Sequence, residues 1–367
     1  EATGKVTLAK VPVGTKASKN GTINGEEGNS NNPTIPKNYI PIDTATSTWG
    51  EGSTAPSQDS VNHGLVIKDE KNNEWVWVPV DKGTLATMYE ESSDEKTLCG
   101  TTGETAVKTK LYSKSITIGT DSNKKTWSRT IPGRTSGSRE PDLVVGSGTE
   151  YDASDTYYKT ILGKTGTKEQ LAQLFVDEYK AMIESVSKYG GFYIGRYELS
   201  DAGVQKDKQP LTETNWHNLY KKCTELKASE KVETRMIWGC QWDVIMNWLI
   251  SSGAKTSDEV NNDSSSWGNY YASSVKADDG KTELKASGTF GQLNTGKTTF
   301  TMANNIYDLA GNVMEWTQEA READFRVNRG SDYTYTSSAS YRDVFPGRDG
   351  DFRYSSNFNN KIIPIQK

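Results

Sequence analysis

The stretch that most constrains this chain is Asn304–Trp316, which reads N-N-I-Y-D-L-A-G-N-V-M-E-W. Large apolar side chains alternate in it with hydrogen-bonding and carboxylate groups, and it contains a Tyr-Asp turn and a Gly-Asn corner. This pattern favours a rigid, half-buried loop over a plain strand. We call this stretch the hub loop.

Two interpretations of the hub loop are open from the residues alone. Its oxygen atoms, on Asn304, Asp308, Asn312, Glu315 and nearby carbonyls, suit a hard cation such as Ca2+. In this interpretation Asn312 and Glu315 are the expected side-chain ligands of a structural calcium ion, and no other cofactor is expected. The alternative is a loop that its own side-chain-to-backbone hydrogen bonds hold in shape.

The hub loop also carries a family resemblance. N-I-Y-D-L-A-G-N-V-M-E-W is similar to the G-L-Y-D-M-x-G-N-V-W-E-W signature of the formylglycine-generating-enzyme (sulfatase-modifying factor) family. Gly191–Ser200 and Arg329–Ser331 resemble an early strand and the closing R-G-G-S element of that family, in the same order. The resemblance covers Trp75–Val80 and the chain from residue 190 onward. It implies an α+β, C-type lectin-like fold with short strands, about three helices and many long loops.

Composition limits the classes of function. The net charge of −5 and the pI of about 5.4 argue against a broad nucleic-acid footprint. No apolar run reaches the roughly 18–20 residues that cross a bilayer. The chain starts at Glu1 without Met, so we expect that an upstream piece was removed, and a signal or membrane anchor would lie there.

The pattern along the chain predicts an extended N-terminal arm or stalk over residues 1–62, followed by one domain over residues 63–367. The domain begins with a hairpin of Gly64–Lys68 and Glu74–Val80 and carries a loop-rich insertion at about residues 81–165. Strands are predicted at Phe192–Leu199 and near Phe325–Arg329. Apolar periodicity predicts three helices: Thr167–Lys188, Thr212–Leu226 and Gln241–Ile250.

Enzymatic chemistry finds little support in the sequence. The two histidines, His63 and His217, lie in no triad pattern, and the three cysteines form neither a disulfide framework nor a Cys-x-x-Cys metal site. Oxidases of the resembled family use a copper-binding pair of cysteines just after the R-G-G-S element. Arg329–Arg342 contains no cysteine, so the resemblance extends to the fold and not to the activity. We expect no enzyme, and the hub loop then serves as a structural hub.

The segment after the hub loop, about residues 329–360, is predicted to bind a ligand; we call it the tail. From Asp332 onward it alternates scaffold-like residues with Tyr, Phe, Asp, Ser, Asn and Arg, the composition of an adaptable paratope. Ser340–Arg353, S-Y-R-x-x-x-P-G-x-x-x-x-F-R, resembles the variable region of the variable proteins of diversity-generating retroelements. In those proteins the segment is the hypervariable ligand-binding face. The expected ligand-binding residues are Asp332, Tyr333, Tyr335, Ser337, Asp343, Phe345, Arg348, Asp349, Asp351 and Tyr354.

Within the tail, Tyr341, Arg342 and Phe352-Arg353 are expected to hold the scaffold. The predicted partner is a protein or glycan on another cell, phage or host surface, with no nucleic acid. Trp75–Val80 reads W-V-W-V-P-V and resembles a lead-in of surface proteins of Gram-positive gut bacteria, which implies an extracellular, cell-surface, pilus-like or phage-associated location.

Three alternatives stay open. One is an enzyme of the same fold with a different mechanism, such as a non-haem-iron relative, although its histidine ligands are not found in the sequence. Another is a structural surface or pilus component. In the third, the tail is simply a β-rich segment with surface Asp and Ser.

Overall fold

The computed structural model describes the following residues: 15–18, 21–24, 29–36, 38–51, 54–88, 90–99, 107–112, 115–128, 168–212, 214, 216–226, 232–322, 325–346, 358–359 and 362–366. Over these ranges the chain is a mixed α/β protein with several small, mainly antiparallel sheets. No helix within them is long and apolar enough to cross a membrane.

Six α-helices lie in the described residues: α1 (Gln58–Asn62), α2 (Lys82–Met88), α3 (Lys168–Tyr189), α4 (Trp216–Glu225), α5 (Gly239–Ser251) and α6 (Ser257–Asn261). Helices α3, α4 and α5 confirm the three predicted ones. The expected total of about three is too low, because the other helices have only five to seven residues. Such short segments hardly show a 3.6-residue period. A 3-10 turn spans Thr299–Thr301.

Most strands in the described residues have two to six residues, while Glu90–Cys99 has 10 and Met314–Glu322 has 9. The strands are β1 (Thr15–Ser18), β2 (Gly21–Asn24), β3 (Ile40–Ile42), β4 (Val66–Lys68), β5 (Glu74–Pro79), β6 (Glu90–Cys99), β7 (Val107–Tyr112), β8 (Ser115–Ile118), β9 (Lys125–Ser128), β10 (Gly191–Gly195), β11 (Val232–Met236), β12 (Val275–Lys276), β13 (Glu283–Lys285), β14 (Met302–Ala303), β15 (Ile306–Tyr307), β16 (Met314–Glu322), β17 (Phe325–Arg329), β18 (Arg342–Pro346), β19 (Phe358–Asn359) and β20 (Ile362–Gln366).

The first four-stranded sheet has the order β10-β5-β4-β3 and is antiparallel throughout. The predicted hairpin is its β4–β5 pair. Strand β5 is its buried centre, because the consecutive residues Trp75 to Val78 are all shielded from solvent on both faces.

Residues before the predicted domain boundary at residue 62 also contribute to this sheet. Strand β3 pairs with β4, and α1 ends at Asn62. Trp49 is buried and donates its indole N–H to the Val66 carbonyl at 2.8 Å. Parts of the described residues 40–51 and 54–62 therefore pack against the sheet. Sequence reasoning did not find this, because pairing with a strand far along the chain leaves no local signal.

The second four-stranded sheet has the order β18-β17-β16-β19, with β16 and β19 parallel. Strand β16 continues directly from the hub loop, and β18 belongs to the tail. Helix α5 lies against β16 and is apolar nearly all round, as a helix buried on most faces is. The hub loop and the tail are thus joined through one sheet.

Part of the predicted insertion is described, and it contains two antiparallel hairpins, β6–β7 and β8–β9. The second hairpin docks on the helices beside the tail. The Gly119 amide donates to Asn247 Oδ1 at 2.9 Å, and Asn261 Nδ2 donates to the Ile118 carbonyl at 3.1 Å. The insertion therefore reaches the same side of the molecule as the tail.

Candidate binding surface

The backbone of the hub loop turns through left-handed conformations at its polar residues. Asn304, Asn305, Asp308 and Asn312 have φ angles of 46°, 61°, 56° and 64°. Asn and Asp visit this region more readily than other non-glycine residues. The amide and carboxylate groups that mark this stretch in the sequence thus stand where the backbone bends.

The side chains of the hub loop bond to distant segments of the chain. Asn305 Nδ2 donates to the Gly64 carbonyl at 2.9 Å and to Ser47 Oγ at 3.1 Å. Asp308 Oδ2 accepts from the Gly296 amide at 2.7 Å. The loop is thus held mainly by bonds to other segments, and both sequence interpretations missed this.

The side chain of Asn312 bonds to three other segments of the chain. Its Oδ1 accepts from the Leu293 amide at 2.8 Å and from Asn269 Nδ2 at 3.0 Å, while its Nδ2 donates to Glu198 Oε2 at 2.8 Å. Both lone pairs of that oxygen are therefore engaged by protein donors. Glu315, the other expected calcium ligand, is fully buried. A structural calcium ion at these two residues stays a prediction.

No cluster of three or more His, Cys, Asp or Glu side chains placed to hold a metal ion occurs among the described residues. His217 is buried in α4 beside Trp216, with the ring centroids 5.2 Å apart. His63 caps the end of α1, and its Nδ1 lies 2.8 Å from the Asp59 carbonyl. His217 thus packs in the interior, and His63 contributes to a helix end.

The backbone of the tail is bonded directly to the hub loop. The Gly311 amide donates to the Gly330 carbonyl at 3.1 Å, and the Tyr333 amide donates to the Asn312 carbonyl at 3.2 Å. Tyr270 Oη donates to the same Gly330 carbonyl at 2.6 Å. The start of the tail is therefore set by the loop that precedes it.

A second set of bonds fixes the next part of the tail. The Tyr271 amide donates to the Tyr335 carbonyl at 2.9 Å, and the Ser264 amide donates to the Ser337 carbonyl at 3.0 Å. The indole N–H of Trp242, on α5, donates to the Ala339 carbonyl at 3.0 Å. The tail path from residue 330 to 339 thus follows bonds to residues outside the tail.

The side chains of this fixed backbone divide into two groups. Tyr335 is 55% exposed, while Tyr333 and Ser337 are half-buried. The tail residues that are buried in the interior are Ser331, Asp332, Ser338, Ala339 and Ser340. The tail therefore has an inner group of side chains that pack and an outer group that solvent reaches.

Asp332 belongs to the inner group, although the sequence predicts it as a ligand-binding residue. Its Oδ1 accepts from the amide of Thr334 at 2.8 Å and from the Thr334 hydroxyl. A short Asp side chain that bonds to the backbone two residues ahead forms an Asx-turn. Asp332 thus shapes the loop from a buried position, and its predicted contact with a ligand stays a prediction.

Asp343 lies half-exposed on β18, where it accepts a hydrogen bond from Tyr341 Oη at 2.7 Å. Burial and then this hydrogen bond raise the pKa of Tyr341 above its ordinary value. Phe345 lies on the same strand, paired with Arg326 of β17. The remaining predicted residues lie outside the described residues, namely Arg348, Asp349, Asp351 and Tyr354, as does the predicted scaffold pair Phe352-Arg353.

Beneath the tail lies a buried network of four charges. Arg329 Nη2 contacts Asp243 Oδ1 at 2.6 Å, and Arg342 Nη2 contacts Asp243 Oδ2 at 3.1 Å and Glu319 Oε2 at 3.0 Å. Burial lowers the pKa of Arg329, and Asp243 opposes that shift. Because α5 supplies Asp243 and three strands supply the others, the network joins the tail to the frame. Arg342 has the scaffold role predicted for it.

Sequence reasoning missed two aromatic residues beside the tail. Among the described residues the exposed large hydrophobic side chains are Ile40, Tyr271, Phe290 and Tyr335. Tyr271 and Phe290 lie with ring centroids 5.1 Å apart at an interplanar angle of 38°, and Tyr271 bonds to the Tyr335 backbone. Three of these four exposed side chains therefore come from segments that meet at the tail.

No protein-family model matches this chain, and a search of curated proteins found no match in sequence.

Proposed function

We propose that this chain is a non-enzymatic, receptor-like or adhesin-like protein that binds its ligand through the outer side chains of the tail. Tyr333, Tyr335, Ser337 and Asp343 belong to this surface, and Phe345, Arg348, Asp349, Asp351 and Tyr354 are proposed to extend it. The proposal includes a C-type lectin-like fold of the formylglycine-generating-enzyme type, diversification of the tail by a retroelement, and display at a cell or phage surface.

The observation that carries the proposal is the division of the tail into inner and outer side chains on a backbone tied from outside. Bonds from the hub loop, from Ser264 and from Tyr271 set the path of the tail without using the side chains of Tyr333, Tyr335 or Ser337. Exchanging those side chains leaves these bonds in place. A surface that tolerates exchange is what a diversified binding protein requires.

Exposed tyrosines suit such a surface for a physical reason. A tyrosine ring offers a large apolar area and a polar tip, and it loses little conformational entropy on binding because it has only two side-chain torsions. The hub loop supports the part of the proposal that concerns the scaffold. Its left-handed Asn and Asp positions and its bonds to four other segments assign the resembled motif to scaffolding.

Sequencing the gene across related strains, together with its neighbourhood, tests the retroelement part. We expect a reverse-transcriptase gene and a near-identical template repeat nearby. Substitutions should concentrate at codons of the outer residues, such as Tyr333 and Tyr335, and spare Asn312 and Arg329. A tail that is invariant among strains, at a locus without a reverse-transcriptase gene, would contradict diversification by a retroelement.

Binding itself is tested with two probes, a glycan array and a displayed random-peptide library. We expect that Tyr333→Ala/Tyr335→Ala abolishes binding to whichever probe the wild-type chain selects, while the melting temperature stays nearly unchanged. Ile40→Ala is the matched control, because this residue is 39% exposed on a different sheet. Binding that survives the double substitution, or an absence of binding to both probes, contradicts the proposal.

A further inference from the structure

Tyr271 and Phe290, which we call the aromatic platform, lie outside the tail but border it. They are 40% and 66% exposed, and the amide of Tyr271 donates to the carbonyl of Tyr335. Their ring centroids lie 5.1 Å apart at an interplanar angle of 38°. Exposed aromatic side chains grouped in this way mark an interaction surface more often than scattered ones do.

A buried lysine holds the segments that carry the platform. Lys285 is only 5% exposed, and its ammonium group donates to the carbonyls of Ser273 at 2.8 Å, Ala286 at 3.2 Å and Thr289 at 3.2 Å. The carbonyl of Tyr271 lies 3.4 Å from the same nitrogen. One charge thus fixes the backbone on both sides of the platform.

Further bonds close the same segment. The Gly288 amide donates to the Tyr271 carbonyl at 2.7 Å, and Ser287 Oγ donates to the Ala272 carbonyl at 2.8 Å. Each added bond reduces the freedom that Phe290 and Tyr271 would lose on binding. A surface ordered before its partner arrives binds at a lower entropic cost.

The charges around the platform and the outer tail indicate the chemistry of the partner. Both arginines of the described tail, Arg329 and Arg342, turn inward to Asp243 and Glu319. The carboxylate of Asp343 stays partly exposed on the tail.

Two lysines lie close by, and both are partly or fully withdrawn from solvent. The charge of Lys285 is directed at buried carbonyls. Lys125 reaches Ser338 Oγ at 3.4 Å, and it is half-buried there. Within the described tail, Asp343 is the half-exposed acidic residue, and the faces of the nearby aromatic rings also attract cations.

We propose that the aromatic platform is the fixed half of the binding surface and that its partner is a protein segment presenting Lys or Arg beside apolar side chains. The inference rests on the proposed binding function and adds to it a part that does not vary with the tail. The rings of Tyr271, Phe290 and Tyr335 cover the apolar side chains and the stems of the cations, and Asp343 pairs with a cationic head.

A displayed random-peptide library panned against the whole chain tests the inference. We expect enriched peptides to carry Lys or Arg next to aromatic or aliphatic residues, and to bind more weakly as the salt concentration rises. Tyr271→Ala/Phe290→Ala should weaken the best peptide by about 10-fold or more, as loss of central aromatic contacts does. Ile40→Ala should leave its affinity within about 2-fold, since single exposed apolar residues elsewhere contribute little.

The outcomes separate this inference from the proposed function. If Tyr335→Ala abolishes peptide binding while Tyr271→Ala/Phe290→Ala does not, the tail binds and the platform inference fails. If neither variant changes binding, both proposals fail. Enrichment of acidic or uncharged peptides overturns the assigned chemistry, and so does binding to a glycan array when the library yields no peptide. A circular dichroism spectrum and a melting temperature equal to those of the wild type establish that each variant is folded.

Discussion

The hub loop and the outer tail are bonded to each other, but their side chains have opposite environments. In the hub loop the amide and carboxylate groups of Asn305, Asp308 and Asn312 are buried and bonded to distant segments. In the tail, Tyr335 and its half-buried neighbours stand on a backbone that other residues hold. The contrast indicates that the polar residues of the hub loop fix the backbone geometry of the tail. The outer side chains of the tail can then be exchanged.

The largest loss of stability is expected from substitutions among the buried charges under the tail. Arg329→Met should lower the free energy of unfolding by about 3–5 kcal/mol, because it leaves Asp243 buried with one cation fewer. Urea denaturation monitored by tryptophan fluorescence measures the loss. The control is Lys297→Met, which removes an exposed pair with Asp207 at 3.0 Å and should cost about 0–1 kcal/mol. Equal costs for the two variants would show that the network does not hold the tail.

The hub loop gives the next largest effect. Asn312→Ala removes buried hydrogen bonds and places Ala at a φ of 64°, so it should cost about 2–4 kcal/mol in total. Asn312→Gly keeps the backbone conformation and separates the two contributions. The matched control is Asn72→Ala, at a φ of 68° on an exposed turn, where the left-handed backbone conformation contributes about 1 kcal/mol to the expected cost. If Asn312→Ala costs no more than Asn72→Ala, the hydrogen bonds of the hub loop do not stabilise the fold.

The outer tail should respond much less. Tyr335→Ala should change the free energy of unfolding by no more than about 0.5 kcal/mol, since an exposed side chain contributes little packing. Ala339→Asp, at a buried position of the same segment, is the contrasting substitution and should destabilise strongly, because it buries an unpaired carboxylate. A large loss of stability from Tyr335→Ala would make this ring part of the core.

The smallest expected effect is a pH dependence at Tyr341. Burial and the bond to Asp343 raise the pKa of Tyr341 in the folded chain. Its contribution to stability is therefore complete below the ordinary tyrosine pKa of about 10 and is lost as the pH rises above it. Unfolding free energies between about pH 9 and 11 should fall less steeply for Tyr341→Phe than for the wild type. Parallel curves would show that folding does not raise the pKa of Tyr341.

The fold was predictable where the signal is local. Helix α3 shows a periodic apolar stripe, and Phe175, Met182 and Val186 of that stripe are buried as expected. The β4–β5 hairpin is likewise marked by two apolar runs and a short turn. Strand β3 carries no such mark, because its place in the sheet depends on pairing with β4.

The proposed binding surface was only partly predictable. The outer positions Tyr333 and Tyr335 follow from composition, while Asp332 turned out to be an interior loop residue. Tyr270 and Tyr271 are adjacent and chemically identical, yet the first is fully buried and the second is 40% exposed. Which of two neighbouring rings faces solvent depends on the tertiary packing of the loop, and a single sequence does not record it.

The central claim is that a rigid inner frame carries an exchangeable outer surface. A displayed library with every substitution at Tyr333, Tyr335 and Ser337, and separately at Ser331, Asp332 and Ala339, tests it by survival of proteolysis. We predict that the outer positions accept most substitutions and the inner positions accept few. Equal intolerance at both sets of positions would contradict the claim.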